Sequence, residues 1–156
     1  MKYNLFKLFH IIGIVTWLGP SSGGFLLIFL SRMSKQGEVE MWLIQEYLSL
    51  IYVETAGLFI IILSGLGMLI ASNWVLNTQL WLRVKKVIVV LIFIPLELIQ
   101  LYLYHEHLKK AFASGAEIKE AILLFDRFCL IAFILLAITV PVVLIMGIFK
   151  PLRKIT

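Results

Sequence analysis

The sequence predicts an all-α integral membrane protein, a four-helix transmembrane bundle, and three observations carry that expectation. First, 62% of its 156 residues are hydrophobic and only 15% are charged, whereas a soluble domain is typically about half apolar. Second, the mean hydropathy is +1.02. Third, the apolar residues fall into four long runs, and a hydrocarbon core about 30 Å thick takes roughly 20 such residues per helix. The runs lie at about 4–31, 43–71, 85–105 and 121–149, and a single transmembrane domain over 1–156 is the expected organisation.

The first run begins after Lys2 and Lys7, which gives the N-terminus the outline of a signal peptide. The apolar stretch continues past Pro20 through Phe25-Leu26-Leu27-Ile28-Phe29-Leu30 with no A-x-A site behind it, so a retained first helix is expected. A short polar link, Arg32 to Trp42, leads to the second run. The link from Ser72 to Val84 carries Asn73, Trp74, Asn77, Gln79, Trp81 and Arg83, and its tryptophans fit a membrane-interface belt. The third link, Glu106 to Glu120, is the most polar part of the chain and precedes the fourth run.

Four crossings put both termini and the second link on one side of the membrane. That side holds eight cations (Lys2, Lys7, Arg83, Lys85, Lys86, Lys150, Arg153 and Lys154), and the other holds six (Arg32, Lys35, Lys109, Lys110, Lys119 and Arg127). The excess predicts cytoplasmic termini in a bacterial inner or plasma membrane. In so apolar a chain the net charge of +5 is a matter of membrane orientation, and no nucleic-acid partner is expected. Cys129 is the sole cysteine, which excludes a disulfide framework and a CxxC metal or redox motif.

Proline and glycine interrupt the runs. Gly19-Pro20-Ser21-Ser22-Gly23-Gly24 predicts a kink or a partly unwound turn in the first span, and Pro95 and Pro141 break the third and fourth. Gly19 and Gly23, at GxxxG spacing, predict a close helix approach together with Gly65 and Gly67.

Two sets of polar residues stand inside the apolar runs. His10 lies near the start of span one, in Phe9-His10-Ile11-Ile12. An ionisable side chain at that depth is a functional candidate, because it is costly there, and imidazole is a common ligand for metals and haem iron. Lys85 and Lys86 open span three on the same predicted side, within reach of a haem propionate should the two helices be neighbours. The alternative is an interfacial histidine with two lysines snorkelling to anionic lipid, the ordinary reading for lysines at helix ends. The second set is Glu54, Glu97 and Arg127. A guanidinium fork can hold two carboxylates, so a buried charge network that fixes helix packing is expected, with a proton path or polar cavity as the functional alternative. His105-Glu106-His107 places its imidazoles two residues apart, on different faces of a helix, and a solvated link is expected there rather than a metal site.

Phe9-His10-Ile11-Ile12 through Trp17-Leu18-Gly19, Trp81-Leu82-Arg83-Val84-Lys85 and the closing Phe149-Lys150-Pro151 together resemble the HemJ and CopD group of small integral membrane proteins. The resemblance spans most of the chain. It implies haem b as cofactor and a protoporphyrinogen oxidase-like redox function, with His10 as metal ligand and Lys85 as a further cofactor-binding residue. The chain departs from that pattern at Pro20-Ser21-Ser22-Gly23-Gly24, where a Pro-Arg-Leu-like segment is usual. It departs again at Ile94-Pro95-Leu96-Glu97, where a third-helix histidine is usual. A different expectation, a non-catalytic small subunit of a larger membrane complex or a homo-oligomer, follows from the lack of extramembrane mass. A small transporter or metal-import role like that of CopD is disfavoured by the scarcity of soft ligands.

Overall fold

The computed structural model describes residues 2–33, 37–72 and 79–149. The described residues are helical almost throughout and contain no strand. Seven α-helices occur in order: α1 (Lys2–Met33), α2 (Gly37–Ser49), α3 (Ile51–Ser72), α4 (Leu80–Ile88), α5 (Ile94–Leu103), α6 (Lys109–Ser114) and α7 (Ile118–Phe149). Single π-helical turns, Val89–Phe93 and Tyr104–Leu108, join α4 to α5 and α5 to α6, so Leu80–Ser114 is one continuous helical segment. Four segments among the described residues are long and apolar enough to cross a membrane: Lys2–Leu30, Met41–Ser72, Leu80–Ser114 and Ile118–Gly147. The all-α, four-span class expected from the sequence is therefore the observed one.

The chain divides into two compact units, Met1–Trp74 and Val75–Thr156. In the first, α1 packs along α3 in antiparallel sense, with α2 against both. The buried residues of α3 are Ile51, Glu54, Gly57, Leu58, Ile61, Ser64 and Gly67. Their three- and four-residue spacing makes one stripe of a 3.6-residue helix. Glycine lets the two backbones meet along it. A Cβ at Gly57 would lie 2.5 Å from the backbone nitrogen of Trp17, and one at Gly13 would lie 3.0 Å from Ile61. A Cβ at Gly67 would lie 2.5 Å from the Phe6 ring. Gly19 and Gly23 have nothing within 4 Å of a Cβ. Of the four glycines expected to allow close approach, Gly67 and Gly65 face α1 side chains, whereas the backbones themselves meet at Gly13 and Gly57, because small residues matter only on the face that meets a neighbour.

The partly unwound turn expected at Gly19–Gly24 is absent: α1 stays helical through Pro20. Proline removes one N–H, and hydroxyls on the same turn add bonds to carbonyls around it. Ser21 Oγ donates to Trp17 O at 3.0 Å and Ser22 Oγ to Leu18 O at 2.8 Å, which is how transmembrane helices commonly accommodate proline. Likewise α7 runs through Pro141. Among the prolines of the described residues, Pro95 alone stands next to irregular backbone, the π turn Val89–Phe93, which closes with the Ile94 N–H donating to Val89 O.

In the second unit α7 packs against the Leu80–Ser114 segment. Trp81, Phe93, Leu103 and Leu108 on that segment and Ala121, Phe125 and Ala132 on α7 are buried. The third link is much shorter than the expected Glu106–Glu120. The helix continues to Ser114, and a three-residue turn follows. Gly115 takes the left-handed conformation (φ 71°) that caps α6, its N–H donating to Ala111 O at 2.9 Å. At the other side of the turn Ala121 N donates to Glu117 O at 3.0 Å.

Candidate functional site

Position 10 lies on the α1 stripe that continues through Gly13 and Trp17, so helical periodicity turns its side chain toward α3. His10 Nδ1 lies 3.1 Å from the main-chain carbonyl oxygen of Ile61 and 3.1 Å from Ser64 Oγ. The ring also passes over Gly65, where a Cβ would stand 3.7 Å from Cε1. The imidazole is half-buried, while Ser64 is buried.

These contacts assign the tautomer from the hydrogen-bond network. A carbonyl oxygen only accepts, so its approach to Nδ1 requires a hydrogen on Nδ1. Ser64 Oγ lies 2.5 Å from Ile60 O and donates there, which leaves its lone pairs to accept from the same Nδ1–H. In the neutral imidazole the lone pair then resides on Nε2. That arrangement, Nδ1–H to a carbonyl and a basic Nε2, is the one by which proteins orient histidine ligands.

The other expected site residues fall in both units. Lys85 is on α4, half-buried, with Nζ 5.5 Å from the centroid of the buried Trp81 ring and at the notch left by Gly147 on α7, where a Cβ would stand 3.0 Å from it. This lysine is seated in a helix interface, with cation–π contact to Trp81. Lys86 is exposed on the same helix. Glu54, on the first unit's α3, is 1% exposed, and Glu97, on α5 of the second unit, is 6% exposed. Both are buried carboxyls, and Arg127 has an exposed side chain on α7.

His105, Glu106 and His107 are helical rather than part of an irregular link: they occupy the π turn Tyr104–Leu108, with Glu106 exposed. The Tyr104 ring meets His105 edge-on at 5.0 Å, the Tyr102 ring meets His107 at 5.8 Å, and Lys110 Nζ binds Glu106 Oε2 at 2.5 Å. Among the described residues no group of three or more His, Cys, Asp or Glu side chains is placed to hold a metal ion. A haem asks less of the chain, since the porphyrin supplies four nitrogens and the protein one or two axial ligands. His10, with its ring held and its tautomer fixed, fits one such ligand.

Sequence reasoning missed Ser64 and the Ile61 carbonyl. A serine in a transmembrane helix usually bonds its own preceding turn, and Ser64 does so, which hides its second role. No family model, curated protein or solved structure matches the chain.

Proposed function

We propose that this chain is a membrane redox protein that holds haem b through His10. The observation that supports the reading is the pair of contacts on His10 Nδ1, to Ile61 O and Ser64 Oγ. They orient an intramembrane imidazole and put the lone pair on Nε2, whereas an imidazole merely resting among headgroups needs no fixed tautomer. The cofactor would supply one-electron chemistry. The chain's own residues bind and orient: α1 presents the imidazole, α3 fixes its rotation and proton, and the Gly65 surface keeps side-chain bulk away from the ring. The resemblance to the HemJ group supports the same cofactor, and protoporphyrinogen oxidation is the activity to assay once haem is loaded.

Protein purified from cells supplied with a haem precursor is expected to show a Soret band, at one haem or less per chain, and His10→Ala is expected to abolish it. A haem-free wild-type protein that also fails to take up added haemin would refute the reading. Both termini are inferred to face the cytoplasm, from the eight-to-six distribution of cations. A C-terminal reporter active only in the cytoplasm is expected to be active, and a silent one refutes that orientation.

A further inference from the structure

We propose that the α4 face bearing Arg83 and Lys86 is a binding site for the phosphate headgroup of one anionic phospholipid. The two residues are spaced i, i+3 and therefore share a face, with Cβ atoms about 5–6 Å apart. Both are exposed, and α4 (LWLRVKKVI) contains no acidic residue to neutralise them. A third cation, Lys85, is on the same turn but is engaged over Trp81, so the outer face is left to Arg83 and Lys86.

The polarity of this face changes along the helix as a lipid does. Val87, Val90 and Leu91 follow the cations and are exposed. Val87 and Val90 are spaced i+4 and i+7 from Arg83, which continues the same stripe. Arg83 and Lys86 lie at the start of a membrane-crossing segment and the valines lie deeper in it. A phosphodiester at the cations would therefore run its acyl chains along Val87, Val90 and Leu91. Arginine grips a phosphate with two parallel N–H donors, and lysine adds a point charge. Buried Trp81 on the opposite face of α4, with buried Leu82 beside it, fixes the helix against the second unit's core and holds the site in place. The inference stands independently of haem binding.

The test is native mass spectrometry of the intact protein released from mixed micelles of phosphatidylglycerol and phosphatidylcholine. Wild-type protein is expected to retain phosphatidylglycerol preferentially. Arg83→Gln and Lys86→Gln are each expected to lower that retention about fivefold, and roughly 25-fold together, from about 1 kcal/mol per cation at an anionic surface. Lys109→Gln with Lys119→Gln removes the same charge from other exposed positions and is expected to leave retention unchanged. Equal retention of the two lipids, or an equal loss in the Lys109/Lys119 double variant, would overturn the site. Complete displacement of the lipid by millimolar inorganic phosphate would also overturn it, showing a free-anion site instead. The single variants alter exposed side chains, and unchanged helical circular dichroism confirms that each is folded.

Discussion

The Nδ1 of His10 lies 3.1 Å from the carbonyl oxygen of Ile61, a residue 51 positions away on the antiparallel helix. This contact joins the fold to the proposed chemistry. It forms where Gly13 and Gly57 bring the backbones of α1 and α3 together, and a carbonyl acceptor at that distance calls for a hydrogen on Nδ1.

Ser64→Ala removes one of two acceptors from Nδ1 but leaves the Ile61 carbonyl. Side-chain hydrogen bonds between transmembrane helices average about 0.6 kcal/mol, and a loss of that order is expected. Reversible unfolding in mixed detergent micelles measures it. Haem retention is expected to weaken without vanishing, because the carbonyl alone still fixes the tautomer.

Glycine substitutions separate contact from sequence pattern. Gly57→Ala drives a Cβ to within 2.5 Å of the Trp17 backbone, which cannot rotate away. A cost of about 1–3 kcal/mol is expected from such overpacking. Gly19→Ala and Gly23→Ala meet open space and should be neutral or stabilising by up to about 1 kcal/mol, the helix-propensity difference between the two residues. The same unfolding measurement compares all three, and a Gly23→Ala penalty equal to that of Gly57→Ala contradicts the α1–α3 interface.

Glu54 is 1% exposed and engaged with neighbours. Glu54→Ala both empties volume and strands the groups it engages, and a loss of about 2–4 kcal/mol is expected. Glu54→Gln, which keeps the volume and some of the bonding, is expected to cost less than half as much. Equal penalties for the two variants show that the carboxylate charge, rather than volume, is what the site needs.

The spans were legible because hydrocarbon thickness imposes a length that composition reveals. Their ends were not. Glu106–Ser114 is polar, and the sequence suggested a link, yet a helix continues beyond the apolar run as long as local pairs such as Glu106–Lys110 support it. The Gly19–Gly24 run suggested an unwound turn because one proline and three glycines favour it, whereas the hydroxyls of Ser21 and Ser22 bond the preceding carbonyls and support the helix. His10 was legible as a costly residue, but its partners were not: a main-chain carbonyl carries no side-chain signature, and contacts across 51 and 54 residues depend on helix register. In the sequence Arg127 is paired with the buried carboxyls by charge alone; sequence does not say which face of α7 a residue occupies, and its side chain is exposed there.

The most direct test of the His10 assignment is rescue of His10→Gly by added imidazole, followed by absorption spectroscopy of the haem-supplied protein. The account predicts a Soret band in the wild type, its loss in His10→Gly, and its return when imidazole replaces the missing side chain. A Soret band of undiminished intensity and position in His10→Gly without imidazole would contradict it.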